Sequence, residues 1–127
     1  MSILVVEDDR DMRELLETLL ETEGAHVVTA GTVPMALDAV NRMSPDILVV
    51  DIGLPEQNGY VFIGRVRALD DPHKRSVPAI ALTAYSSTTD RDTALTSGFQ
   101  MFIAKPFDTG ALVDAIASAA RLRKDAA

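Results

Sequence analysis

Along this chain, short unbroken apolar runs alternate five times with longer stretches in which apolar residues recur every three or four positions. Ile3-Leu4-Val5-Val6 is β-branched and uninterrupted by polar residues, the pattern of a strand buried on both faces. From Asp9 the period changes. Met12, Leu15, Leu16, Leu19 and Leu20 fall at helical spacing, Arg10, Arg13, Glu14, Glu17 and Glu21 lie opposite, and Gly24 supplies a left-handed stop. The cycle repeats with a strand at His26-Val27-Val28-Thr29-Ala30 and a helix from an N-cap at Thr32 through Met43, with Pro34 in its first turn. Asp46-Ile47-Leu48-Val49-Val50-Asp51 is a third strand, hydrocarbon between two acids. A loop with Gly53 and Pro55 leads into a helix from about Gly59 to Leu69, and Asp70-Asp71-Pro72 reads as polar loop. Ala79-Ile80-Ala81-Leu82-Thr83 is the fourth strand, followed by a helix from about Thr89 to Ser97 that Gly98 closes. Met101-Phe102-Ile103 is the fifth strand, and Asp108 caps the last helix.

Such alternation predicts an α/β fold, a doubly wound and mainly parallel sheet with helices on both faces and right-handed crossovers. Sheets of this kind hold ligands outside the carboxyl ends of their strands, near the point where strand order reverses. No linker, repeat or low-complexity segment interrupts the pattern, so residues 1–127 read as one domain.

Composition narrows the classes of function. No apolar run approaches the roughly 20 residues that span a bilayer, and the N-terminal run is too short and lacks the basic start of a signal peptide. With no cysteine there is neither a disulfide framework nor thiolate chemistry, which fits a cytoplasmic protein. A net charge of −7 argues against direct nucleic-acid binding, which needs a basic face. The short cluster at Arg121, Arg123 and Lys124 reads as the favourable end of a helix dipole.

Where each buried strand gives way to its loop, a polar residue stands: Glu7, Asp8 and Asp9 after the first, Asp51 ending the third, Thr83 ending the fourth, Lys105 after the fifth. In a parallel sheet these ends open at one edge. Two carboxylates ~4 Å apart repel by about 4 kcal/mol at an effective dielectric of ~20, and one lysine relieves several acids only in part. A hard divalent cation resolves the conflict, and oxygen ligands without nearby His or Cys point to Mg²⁺ or a similar ion. An ion held by few protein groups leaves positions for phosphoryl oxygens, and an ionised carboxylate can itself be the nucleophile that forms an aspartyl phosphate.

Glu7-Asp8 after the first strand, Asp51 with Pro55 and Gly59 downstream, Thr83-Ala84 and Lys105-Pro106 together resemble bacterial response-regulator receiver domains, chemotaxis-regulator-like. The resemblance runs from about Ile3 to Arg121. It implies a flavodoxin-like (βα)5 fold with strand order 2-1-3-4-5 and a phosphorylation-dependent switch of a two-component system or phosphorelay. Such a domain is not an enzyme in the usual sense, although it catalyses its own phosphorylation and dephosphorylation. The resemblance makes Asp51 the phosphoacceptor, Asp8 a direct ligand of Mg²⁺ (or Mn²⁺), Glu7 a ligand through water and the Gly53 backbone carbonyl a further ligand. Lys105 is implied as the cation that meets the acceptor and then the phosphoryl group. Thr83 and Phe102 are implied as a switch pair, and the bond to Pro106 as cis. Asp9 then falls to an N-cap role, where a carboxylate is favourable in any case.

The implied donor is a histidine kinase or histidine phosphotransfer protein, and the implied output is a protein partner on the face built from the fourth predicted helix, the fifth strand and the last helix. Asp51-Ile52-Gly53-Leu54-Pro55 and the segment from Ala81 through Gln100 are similar to receivers of hybrid histidine kinases. A stand-alone regulator and a receiver from a longer protein both remain open. Gly53 and Tyr85 depart from the best-known members. Gly53 has no side chain to place a water, and a bulky Tyr85 would shield the acyl phosphate, so slow self-dephosphorylation is expected.

Three rival readings fit less well. A pseudo-receiver would lack an acid of the cluster. A flavodoxin-like electron carrier would want a phosphate-cradling loop after the first strand, where this chain has three acids. An aspartate-nucleophile phosphatase would carry its nucleophile there. His26 and His73 are expected to be neither ligands nor phosphoacceptors.

Overall fold

The five apolar runs form five parallel strands in a computed structural model of the chain, which describes residues 1–52, 59–83 and 88–126, with backbone alone at 88–91 and 123–126. The elements are β1 (Ser2–Val6), α1 (Arg10–Thr22), β2 (His26–Ala30), α2 (Val33–Met43), β3 (Ile47–Asp51), α3 (Gly59–Arg67), α4 (Pro72–Arg75), β4 (Ala79–Thr83), α5 (Thr88–Ser97), β5 (Met101–Ala104) and α6 (Thr109–Ala126). Strand order is β2-β1-β3-β4-β5, so the chain reverses direction across the sheet between β1 and β3.

Because side chains alternate along a strand, each strand feeds two apolar layers. Leu4, Val6, Leu48, Val50, Ala79 and Ala81 pack with Val33, Val40, Phe62, Ile63, Val66 and Phe99 on one face. Ile3, Val5, Ile47, Val49, Ile80 and Leu82 pack with Leu16, Leu20, Leu112 and Ile116 of α1 and α6 on the other. All these residues are buried, which leaves only the strand ends free to carry polar groups.

Local chemistry sets the boundaries. Asp9 caps α1 by accepting from the backbone N–H groups of Asp11 and Met12, and Thr32 caps α2 through Met35 N–H. Gly24 follows α1 with φ +92°. The end of α2 carries no such sequence signal, since the left-handed residue there is Ser44, at φ 47°. Asp46 falls outside β3 because its carboxylate accepts from Ser2 N–H at 2.8 Å. The stretch after α3, expected as loop, forms one helical turn: Asp71 accepts from His73 and Lys74 N–H, and Pro72 holds the first position. Asp108 accepts from Gly110 N–H at the start of α6. No described helix is long and apolar enough to cross a membrane.

Gly59 fits α3 against the sheet edge. A Cβ there would stand 2.9 Å from Ile52 Cα and 3.0 Å from the Asp51 carbonyl oxygen, and Gly59 N–H donates to Ile52 O at 2.9 Å.

Candidate functional site

The register brings the acids together. Val6 lies beside Val50, so the next residues, Glu7 and Asp51, neighbour each other at the carboxyl edge. Glu7 remains tied to the sheet through its N–H, which donates to Ala30 O at 3.0 Å. Both continue the strand positions that face α1 and α6, and both are buried, at 2% and 8% exposure. Asp8, one residue beyond, is exposed. One carboxylate oxygen from each of Glu7, Asp8 and Asp51 lies within 4.8 Å of the other two.

Lys105 closes the cluster from β5. Its backbone N–H donates to Thr83 O at 2.6 Å, and its Nζ stands 3.1 Å from Asp51 Oδ2 and 3.3 Å from Glu7 Oε1. The Lys105–Pro106 bond is cis.

One cation among these acids leaves a deficit that Glu7 shows most clearly. Burial pushes its carboxyl up from 4.5 to about 8, hydrogen bonding and repulsion from Asp51 add to the rise, and Lys105 opposes it. Glu7 Oε2 is buried with no hydrogen-bond partner among the described residues. Partial burial pulls the Lys105 ammonium down, but Asp51 first and Glu7 second outweigh it, and the net direction is up. With Glu7 biased toward its neutral form, Asp51 is the main partner of Lys105.

An orphaned buried carboxylate oxygen inside an all-oxygen donor set is what a hard divalent ion satisfies, so the residues present fit Mg²⁺.

Thr83 is buried at 2% exposure, and Phe102 is half-buried against the layer under α3 and α5. Ala81 lies beside Phe102 and Thr83 beside Ala104, which sets Thr83 and Phe102 diagonally on one face of adjacent strands. Asp9 is occupied as the α1 cap and stands outside the acidic triad. His26 is exposed at the start of β2, and His73 lies on the short α4. Gly53, Pro55, Ala84 and Tyr85 fall outside the described residues.

One residue near the site carried no signal in the sequence beyond helical spacing. Arg13, expected on the solvated face of α1, is half-buried and folds back, its Nη1 donating to the carbonyls of both Glu7 and Asp8 at 3.0 Å.

The family described as response regulator receiver domain matches residues 3–117. The chain belongs to that family. Among its relatives are an uncharacterized 14.6 kDa protein from the sodA1 3′ region of Leptolyngbya boryana, 49% identical over 85% of this chain and 81% of that protein. The transcriptional regulatory protein CpxR of Escherichia coli is 40% identical over 87% of this chain and 45% of its own length. KdpE of the same species, the KDP operon regulator, is 35% identical over 87% and 47%. This receiver domain thus spans about half the length of those two regulators. A putative response regulator from Chloroflexus aurantiacus superposes with a TM-score of 0.86 at 30% identity, over 94% of this chain and 97% of the other. A CheY-like receiver domain protein from Methanospirillum hungatei gives 0.89 at 24% identity over 99% and 98%, a likeness of fold. As a receiver domain, the chain carries the five-stranded parallel architecture and the two-component signalling role general to its family, in which phosphorylation drives a switch and histidine kinases are partners.

Proposed function

We propose that this receiver domain accepts a phosphoryl group on Asp51 from the phosphohistidine of a histidine kinase or histidine phosphotransfer protein, and thereby changes its binding of a downstream protein. The observation that carries this reading is the placing of Lys105 Nζ 3.1 Å from Asp51 Oδ2, with the carboxylates of Glu7 and Asp8 alongside.

Asp51 Oδ is the nucleophile. A new O–P bond forms as the P–N bond to the donor imidazole breaks, and the electron pair of that bond stays on the imidazole nitrogen. Asp51 attacks as the carboxylate paired with Lys105 Nζ and calls for no separate base. Glu7, Asp8 and Asp51 would hold Mg²⁺ (or Mn²⁺), joined by the Gly53 carbonyl that the family resemblance implies, and the bound ion supplies charge neutralisation to the phosphoryl oxygens. Lys105 meets another of those oxygens through a charge-assisted hydrogen bond, and the Thr83 hydroxyl donates to a third. The domain catalyses its own modification in this way and turns over no separate substrate.

Output follows from the same contacts. Reversing a 1:99 population requires about 5.5 kcal/mol of bias, and new charge-assisted bonds to Thr83 and Lys105 are of the scale to supply much of it. As Thr83 moves toward the phosphate, Phe102 on the same face turns inward. This reshapes the surface of α5, β5 and α6, where a downstream partner binds. Residues 1–127 act as one unit in a cytoplasmic pathway, without direct contact to nucleic acid or membrane.

Incubation with acetyl phosphate and Mg²⁺ followed by intact mass measurement tests the reading on wild type and Asp51→Asn. One metal-dependent phosphoryl adduct on wild type, absent in the variant, supports it. A folded wild type that gains no adduct contradicts it and favours a constitutive interaction module.

A further inference from the structure

The turn that carries Glu7 and Asp8 is held from behind. Arg13 lies on the second turn of α1, where its backbone N–H donates to the Asp9 carbonyl in ordinary helical fashion. Its side chain does not follow the solvated face that its spacing predicts. Nη1 reaches the carbonyl oxygens of Glu7 and Asp8, each at 3.0 Å, so a single guanidinium group ties down two successive peptide planes. Those planes set the direction in which the two carboxylates leave the backbone.

Room for the guanidinium comes from the next strand. Gly31 follows β2, and a Cβ built there would stand 2.9 Å from Arg13 Nη1, 3.5 Å from Arg13 Cζ and 3.9 Å from the Glu7 carbonyl oxygen. The absent side chain of Gly31 is therefore the space that the Arg13 head fills. Its backbone is not in the left-handed region, so an alanine is conformationally acceptable and would act mainly by displacing the far end of a flexible side chain.

We infer that Arg13 is a positioning residue for metal binding, seated by Gly31, and that it holds the Glu7–Asp8 turn in the geometry that lets both acids act with Asp51 on one divalent ion. The inference rests on the metal-dependent reading above. Arg13 touches neither a carboxylate of the triad nor, by its placement, the ion, and it acts through the backbone of the ligands. Outer contacts that orient metal ligands are commonly worth 10- to 100-fold in affinity.

Three features separate positioning from a general loss of charge or of stability. Arg10, on the same helix, pairs with Glu14 at the surface, so Arg10→Met removes the same charge without touching the turn. Gly31→Ala removes no charge. Arg13→Met and Gly31→Ala also act on one guanidinium, so the double variant should be no worse than the more affected single one, whereas independent defects would add.

The test is Mg²⁺ titration of the unphosphorylated protein, wild type and variants, by calorimetry, with thermal unfolding in chelator to register the fold. Arg13→Met and Gly31→Ala should each weaken Mg²⁺ by about 10- to 100-fold, their costs should not add, and Arg10→Met should bind like wild type. If Arg13→Met proves unstable, the milder Gly31→Ala carries the test. Wild-type affinity in Gly31→Ala, or additive costs in the double variant, would overturn the role of Arg13 while leaving the metal site intact. A folded wild type that binds no Mg²⁺ would overturn the metal-dependent reading itself and this inference with it.

Discussion

Glu7 and Asp51 stand side by side at the carboxyl ends of β1 and β3, both buried, with one ammonium group among the described residues, that of Lys105, within 3.3 Å of each. Two neighbouring acids sharing one cation cannot both ionise freely, and Glu7 is the one held back, its carboxyl pushed up to about 8.

This arrangement predicts an inverted pH dependence for metal-free protein. Between 4.5 and about 8 the folded chain keeps a proton on Glu7 that the unfolded chain has released. The contribution is whole below 4.5 and is lost as pH rises toward 8. Glu7→Gln removes that slope. Denaturant unfolding in chelator should therefore show the stability of Glu7→Gln relative to wild type increasing as pH is raised through this window; a constant difference would contradict it.

Metal binding should carry the opposite sign. A ligand set that includes Glu7 must shed its proton, so apparent Mg²⁺ affinity should rise with pH toward about 8, with proton release on binding. Calorimetry in buffers of different ionisation enthalpy measures that release. Affinity independent of pH across the window would place Glu7 outside the ligand set.

Lys105→Met should destabilise the metal-free protein at neutral pH by about 1–3 kcal/mol, because it strips the cation from buried Asp51 beside a Glu7 that holds its proton. The value sits below that of a fully buried pair because the Lys105 side chain keeps 23% exposure and water screens part of the interaction. The same change should tighten Mg²⁺, since the ion no longer competes with an ammonium group. Unchanged unfolding together with unchanged Mg²⁺ affinity would show that Lys105 does not neutralise this cluster.

Gly59→Ala should cost about 1–3 kcal/mol by overpacking, since its nearest neighbours are backbone atoms of Ile52 and Asp51 that cannot step aside. It should also slow acetyl-phosphate labelling by shifting the acceptor. Wild-type unfolding and labelling in this variant would show that the α3 start gives way freely.

Legibility in the sequence followed from how local each signal was. Strands such as Ile47–Asp51 and Ala79–Thr83 were readable because both faces are buried and the apolar run is unbroken up to its polar last residue. The caps at Asp9 and Thr32 were readable because a side chain meets an N–H within three residues. The gathering of Glu7, Asp8, Asp51 and Lys105 followed once the strands were taken as parallel, since parallel strands end together. The diagonal of Thr83 and Phe102 depended on a β4–β5 register that no single run specifies, and its sequence support was family resemblance alone. Arg13 could not be found by periodicity, because a long side chain on the polar face bends back onto the preceding loop without altering the pattern. The turn at Pro72–Arg75 was hidden for a related reason, four residues being too few to show a period.

The measurement that bears most directly on the central claim is chemical mapping of the phosphoryl group. After phosphorylation from a phosphohistidine donor in Mg²⁺, borohydride reduction converts an aspartyl phosphate to homoserine, which peptide mass spectrometry locates. Homoserine should appear at position 51 alone and be lost when the ion is chelated. Homoserine at Asp8 or Asp9 with Asp51 intact, or labelling of Asp51 that ignores the ion, would contradict it.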